Sequence, residues 1–151
     1  MTDWPTIELT DVERFRALAA GVPGAAVTER VLPADPDQVK AMLADLDVFA
    51  ELQADFVSAT VLERSGDRVV VLAKGRRGQR ARLVGQFRPG WCWLQSRFVI
   101  IGMAVAAEPG GGTRVALTGG IRVPGRAALV PIRVRHESAR TLERLERLLR
   151  A

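Results

Sequence analysis

The order of the predicted elements constrains this chain more than any single motif does. A strand at residues 25–32 is followed by two short helical segments, a series of strand hairpins, and an amphipathic helix over about residues 126–150. Hairpins build an antiparallel sheet, and the apolar face of such a sheet must be covered. We therefore expect the last helix to lie across a curved sheet, with space for a pocket between them.

Length and composition indicate one globular domain. The chain has 151 residues, of which 48% are hydrophobic and 26% charged, so it can bury an ordinary core. We assign residues 1–24 to an N-terminal helical extension and residues 25–151 to the rest of this single domain. The apolar run at residues 99–107 is too short for a membrane span, which needs ~20 residues.

Charge and cysteine content indicate the cellular compartment of the protein and the kind of partner it can bind. The first thirty residues contain acidic side chains where a signal peptide would be basic and then apolar. Cys92 is the single cysteine, which excludes an intramolecular disulfide and a multi-cysteine metal site. We expect a cytoplasmic protein. The net charge of +5, carried by twenty arginines and two lysines, permits anionic partners without requiring them.

The first helix signal lies before the opening strand. Thr10 and Glu13 form a capping-box pair, and a helix over about residues 11–20 would place Val12, Phe15 and Leu18 on one face.

A second helix start follows the opening strand. Asp35 is the predicted N-cap and Pro36 the first helical residue. A further short turn is predicted at residues 48–52. The predicted buried stripe of the second helix consists of Val39, Met42, Leu43 and Leu46.

From residue 56 onward the pattern is that of strands joined by turns. The predicted strands are 56–64, 68–75, 79–87, 91–98, 102–108 and 113–123. In the third of these, Leu83 and Phe87 share one face, and Arg80, Arg82, Gln86 and Arg88 share the other.

The fourth strand of this series is ambiguous. Trp91 and Trp93 share one parity, whereas Cys92 and Leu94 share the other, so either set could face inward. The connection at residues 98–102 is either a tight turn without glycine or part of one long bulged strand.

The C-terminal segment carries an apolar stripe at helical spacing. The stripe begins with Leu129, Ile132, His136 and Ala139 and continues through Leu142, Leu145 and Leu149.

Four segments in this order carry a family resemblance. They are PADPDQVKAMLADLDVFAEL after the opening strand, FVSATVLERSGDR, the GGTRV hairpin, and ALVPIRVRHESARTLERLERLL. Over about residues 25–150 the chain resembles the helix-grip (SRPBCC) superfamily. That superfamily includes START domains, Bet v 1-like proteins, and bacterial polyketide cyclase/dehydrase and lipid-transport proteins.

The resemblance implies an α+β helix-grip fold. Its seven-stranded antiparallel sheet wraps around a long C-terminal helix, and two short helices follow strand 1. The extra N-terminal helix departs from this pattern, and its role is open. Superfamily members bind lipids, sterols, polyketides and other apolar molecules in a cavity between sheet and helix, and some are enzymes.

Three functions are compatible with these observations. The leading expectation is a binding protein for a small hydrophobic molecule, such as a lipid, an isoprenoid or a polyketide-like compound. The first alternative is a polyketide cyclase or dehydratase that uses the same cavity. The second alternative is an interaction protein with a closed core. We expect no cofactor and no metal, and the oligomeric state is open.

The predicted site combines apolar lining with a few polar anchors. His136 is the only histidine, and it is the candidate acid or base if a reaction is catalysed; a histidine packed at the edge of the helix is the structural alternative. The predicted ligand-binding residues are Leu83, Phe87, Trp91, Trp93, Arg97, Met103, Leu117, Arg122, Ile132, His136 and Ala139.

A basic hairpin at residues 74–82 is the remaining charged feature. It could contact anionic membrane through Lys74, Arg76, Arg77 and Arg80, or it could simply be solvated. Because no aromatic residues alternate with these basic residues, as in proteins that stack single-stranded bases, we expect no nucleic-acid binding.

Overall fold

A computed structural model describes residues 8–23, 25–45, 56–75, 78, 80–97, 99–122, 129–130 and 142–149. The helices are α1 (Asp11–Ala20), α2 (Pro36–Leu43) and α3 (142–149). The strands are β1 (Ala26–Leu32), β2 (Phe56–Ser65), β3 (Arg68–Gly75), β4 (Arg80–Arg88), β5 (Trp91–Gln95), β6 (Val99–Ala107), β7 (Thr113–Arg122) and β8 (Leu129–Val130).

The described strands form one antiparallel sheet in the order β1-β7-β6-β5-β4-β3-β2. Seven of them are long, as predicted, and the two-residue β8 pairs with Ile121 and Arg122 at the end of β7. The helix predicted to begin near residue 126 is therefore wrong at Leu129, which lies on a strand. The end of β7 extends past its partner β1. Its pairing with β8 supplies backbone hydrogen-bond partners along that edge.

The connection between β5 and β6 is a tight turn without glycine. The Ser96 N–H donates to the Val99 carbonyl at 2.8 Å, and the Val99 N–H donates to Ser96 Oγ at 3.1 Å. These two hydrogen bonds close the turn, so the alternative of one long bulged strand is wrong.

Both predicted helix caps are confirmed. Thr10 Oγ1 accepts a hydrogen bond from the Glu13 N–H at 3.2 Å, and the Asp35 carboxylate accepts one from the Asp37 N–H at 2.8 Å. The turn predicted at residues 48–52 lies outside the described residues. Among the described helices, none has the length and apolar character that crossing a bilayer requires.

One face of the sheet, here called the inner face, carries a large aliphatic cluster covered by α2 and α3. Its buried members come from β1, α2, β3 to β7 and α3. This inner cluster consists of Leu32, Val39, Leu43, Val69, Val71, Ala73, Leu83, Phe87, Cys92, Leu94, Ile101, Met103, Val105, Val115, Leu117, Leu142 and Leu145.

The outer face carries a second, smaller cluster covered by α1. This outer cluster consists of Val12, Phe15, Ala19, Trp91, Trp93, Ile100, Ala104 and Ala116. The prediction that Leu18 is on the buried face of α1 is wrong, because Leu18 is 43% exposed. Positions 12, 15 and 19 follow the helical spacing of 3.6 residues per turn, which places Leu18 at the border of the buried stripe.

Candidate functional site

The inner face brings together the predicted aliphatic and aromatic lining of β4, β6 and β7. Leu83, Phe87, Met103 and Leu117 are each at most 5% exposed and belong to the inner cluster. The cross-strand pair Met103 and Leu117 places two of these side chains next to each other. The α3 residues Leu142 and Leu145 pack in the same cluster, so the C-terminal helix lies on this face, as predicted.

Polar groups at the border of the inner face are paired. Arg30 on β1 forms an ion pair with Glu146 on α3, which connects the edge of the sheet to the C-terminal helix. The buried Thr113 hydroxyl donates to the Ala34 carbonyl at 2.6 Å and so fixes the start of β7 against the segment before α2. These groups hold covering elements in place.

Cys92 is the one titratable residue in the inner cluster. It is fully buried, and the loss of hydration raises the pKa of its thiol, so the side chain stays protonated and unreactive. Within the described ranges, no group of three or more histidine, cysteine or acidic side chains could hold a metal ion.

Trp91 and Trp93 lie on the outer face, opposite the inner cluster. Phe15 of α1 meets both indole rings edge-on, with ring centroids 6.0 Å and 5.6 Å apart. The two tryptophans therefore do not line a space between the sheet and the C-terminal helix, and we correct that expectation. Both faces of β5 are buried, because α1 supplies a second covering layer there.

Ion pairs on opposite sides fix α1 to the sheet. Arg88 on β4 holds Asp11 through two hydrogen bonds of 2.8 and 2.9 Å, and Arg16 holds Glu29 on β1 through two of 2.5 and 2.6 Å. Hydrogen bonding to Arg88 lowers the pKa of Asp11, and hydrogen bonding to Arg16 lowers the pKa of Glu29. Both carboxylates are therefore charged at neutral pH.

The network at Glu29 extends along the outer face of the sheet. Arg114 on β7 contacts Glu29 at 3.2 Å and holds Glu108 through two hydrogen bonds of 2.8 Å. Hydrogen bonding to Arg114 lowers the pKa of Glu108. These ion pairs lie beside the outer cluster, on the side that β1 and β7 form.

No protein-family model and no curated protein matches this sequence. Solved structures do match it. A START superfamily protein from Mycobacterium smegmatis is 14% identical with a TM-score of 0.52, and the match covers 83% of this chain and 97% of that one. The Bet v 1 allergen Ara h 8.0201 is 16% identical with a TM-score of 0.56, covering 83% of this chain and 96% of the allergen.

The third comparison is with a polyketide cyclase. The di-domain ARO/CYC protein BexL from the BE-7585A biosynthetic pathway is 16% identical with a TM-score of 0.56, and the match covers 93% of this chain and 55% of BexL. These three structures share the arrangement of sheet and helices found here. The chain has the helix-grip fold.

The remaining predicted site residues lie at the end of a strand, in a turn, or outside the described residues. Arg97 is an exposed residue of the turn between β5 and β6, so its predicted place on a strand is wrong. Arg122 is the last residue of β7, and only its backbone is described. Ile132, His136 and Ala139 lie outside the described residues, and their ligand-binding roles stay predictions.

The basic hairpin is described at its two ends. Lys74 and Arg80 are both exposed and pair across β3 and β4. Arg76 and Arg77 lie outside the described residues. Contact with an anionic membrane stays a prediction.

Sequence reasoning missed the role of α1 in this helix-grip fold. The available signal was the run Trp91 to Leu94, in which both parities are apolar; such a run indicates a strand covered on both sides. Gly102 was a second signal. A Cβ atom there would lie 2.7 Å from Phe15 Cε2, so the glycine is what permits Phe15 to rest directly on β6.

Proposed function

We propose that this protein binds a small hydrophobic molecule between the inner face of its sheet and its C-terminal helix. The observation that carries the proposal is the inner cluster, which presents an apolar surface from six consecutive strands of the sheet to that helix. The similarity to START, Bet v 1 and ARO/CYC structures supports the same location. A lipid, an isoprenoid or a polyketide-like compound fits the proposed chemistry.

The composition of the inner face supports a ligand with little charge. The described members of the inner cluster include no ionisable group apart from the protonated Cys92 thiol, and burying an unpaired charge beside them would be costly. We propose that the ligand contacts Leu83, Phe87, Met103 and Leu117 from the sheet, and Ile132 and Ala139 from the predicted helical segment before residue 142. Arg122 and His136 are the proposed polar anchors. We place this activity in the cytoplasm, as the single unpaired cysteine suggests.

The experiment fills the proposed cavity from the helix side. The proposed cavity has a volume on the order of 300–1,000 Å³. If the new ring of Ala139→Trp enters this cavity, the affinity for an apolar fluorescent probe should fall by about tenfold or more. The free energy of unfolding should change by less than about 1 kcal/mol, because an existing cavity receives the added volume.

Glu143→Trp is the matched control for this experiment. Glu143 is exposed on α3, so the same large ring should alter neither probe binding nor stability by more than about 0.5 kcal/mol. A closed core would give the opposite pattern. The wild type would then show no saturable binding, and Ala139→Trp would be destabilised by about 1–3 kcal/mol through overpacking.

A second candidate function is a cyclase or dehydratase acting in the same cavity. The observation that favours it is the BexL match, which extends over 93% of this chain. In that case His136 would transfer a proton while the cavity holds the reactive chain. Identification of a molecule that copurifies with the protein, by native mass spectrometry and extraction, would supply the substrate that this candidate needs.

A further inference from the structure

An open groove of about 550 Å³ lies on the outer face, where α1 ends its coverage of the sheet. Leu18, which lies at the border of the buried stripe of α1, forms one wall. The floor is formed by β3, β4 and β5. The side chains that define the groove are Leu18, Arg68, Val84, Gln86, Trp93 and Gln95.

The strand register places the floor residues in two adjacent rows. Arg68, Gln86 and Trp93 are cross-strand partners in one row, and Val84 and Gln95 are partners in the next. Side chains at paired positions project from the same face of a sheet. The rows therefore offer one apolar surface, formed by Val84 and the small part of Trp93 that α1 leaves uncovered, with polar side chains beside it.

The two glutamines present hydrogen-bond donors to the groove. Trp91 Nε1 donates to Gln86 Oε1, and Trp93 Nε1 donates to Gln95 Oε1, each at 3.2 Å. Because an indole N–H can only donate, each amide must turn its oxygen toward the indole. The two amide NH₂ groups are left for another acceptor, since no hydrogen bond within the described part of the chain uses them.

The charge at the groove is positive. Arg68 is exposed at one end of the first row, and none of the described residues that line the groove is acidic. Within the described ranges Arg68 forms no ion pair. A guanidinium together with two amide NH₂ groups is a set of donors without a matching acceptor, and a carboxylate supplies acceptors of the right charge.

We propose that this groove is a second binding site, specific for a small apolar molecule that carries a carboxylate. The apolar part would lie against Leu18, Val84 and the Trp93 ring, and the carboxylate would accept hydrogen bonds from Arg68, Gln86 and Gln95. The site is on the opposite face of the sheet from the inner cluster, so it does not depend on the proposed inner cavity. Its volume lies within the range of small-molecule sites, about 300–1,000 Å³.

The test uses 4-phenylbutyrate and its uncharged analogue 4-phenylbutanamide with the ¹⁵N-labelled full chain. The indole N–H resonance of Trp93 and the amide resonances of Val84 and Gln86 report on the outer groove. Those of Leu83, Cys92 and Leu117 report on the inner face. We expect saturable shifts at the first set with 4-phenylbutyrate, and affinity about fivefold lower for the amide, because an exposed charged contact contributes up to about 1 kcal/mol.

Two variants that each lower the net charge by one separate the groove from general charge attraction. Gln86→Glu keeps an oxygen to accept from Trp91 but replaces the NH₂ donor with a negative charge. It should weaken 4-phenylbutyrate binding by about tenfold or more and give measurable binding of 4-phenylbutylamine. Arg82→Gln is the control, since Arg82 is exposed on the same face of β4 but does not line the groove. It should change affinity by less than about twofold.

Arg68→Gln is a further variant at an exposed position and should weaken 4-phenylbutyrate binding by about two- to fivefold with the fold intact. Three results would overturn the proposal. The first is an absence of saturable shifts up to about 10 mM probe, because a dissociation constant above that concentration means negligible affinity. The second is a set of shifts confined to the inner-face resonances. The third is equal weakening by Gln86→Glu and Arg82→Gln.

Discussion

The two faces of the sheet are covered by different means. The inner face is covered by α2 and α3, and aliphatic side chains make up most of its cluster. Among the described elements, α1 covers the outer face, through one phenylalanine placed against two tryptophans and through ion pairs at both sides of the helix. Burial of apolar surface therefore holds α2 and α3 against the inner face. On the outer face, α1 is held by a small aromatic contact together with ion pairs.

The outer face is also divided along its length. On β5, β6 and β7 it is buried under α1, whereas on β4 the outward-facing Val84 is 37% exposed. The proposed groove lies at this boundary. α1 adds a third layer over part of the sheet, and the edge of this layer creates a concave surface on the outer face.

The largest expected effect comes from removing the aromatic contact of α1. Phe15 is fully buried, and Phe15→Ala should lower the free energy of unfolding by about 3–5 kcal/mol. The loss should reach the lower end of that range if α1 separates while the inner cluster stays folded. Thermal unfolding measures the first quantity, and a red shift of tryptophan emission reports exposure of Trp91 and Trp93.

Leu145→Ala is the matched control on the inner face. This substitution should lower the free energy of unfolding of the whole domain by about 2–5 kcal/mol. The outer tryptophans should become exposed only in the main unfolding transition. Identical unfolding behaviour in Phe15→Ala and Leu145→Ala would contradict the distinction between the two covers.

A smaller effect is expected when a side chain is added beneath Phe15. The new methyl group in Gly102→Ala would lie 2.7 Å from Phe15 Cε2 and 3.0 Å from Thr118 Cγ2. Overpacking of this kind costs about 1–3 kcal/mol. Combining it with Phe15→Leu should recover part of the loss, and a double-mutant cycle from denaturant unfolding gives the coupling. Simple additivity of the two changes would mean that Phe15 and Gly102 do not limit each other.

The smallest effect concerns the charge pairs. Because the folded protein lowers the pKa of Asp11 and Glu29, their contribution to stability is complete above their unfolded values of about 4 and is lost as pH falls through the lowered values. Asp11→Asn should lower the free energy of unfolding by up to about 1 kcal/mol at pH 7. It should also make the loss of stability below about pH 4 less steep. Unfolding curves from pH 7 to about pH 3 measure both, and an unchanged acid profile would assign the decline to other groups.

Most of the fold could be predicted from local patterns. The caps at Thr10 and Asp35, the turns after Ser65 and Arg88, and the alternation of Leu83 and Phe87 each fix an element with information from neighbouring residues. The candidate site was less predictable. Its inner aliphatic residues followed from the parity of β4, but the parity of β5 gave no answer because both sets of side chains are apolar.

The sequence by itself determined where α1, α2 and most strands begin, which residues of β4 face inward, and that a C-terminal helix lies on the sheet. Helical spacing, capping groups and strand alternation are local properties, so they can be read along the chain. Only the tertiary structure decided that Trp91 and Trp93 pack under α1 and that Leu18 borders a groove. Those outcomes depend on contacts between residues up to about eighty positions apart, such as Phe15 with Trp91 and Asp11 with Arg88, and no local pattern specifies such a partner.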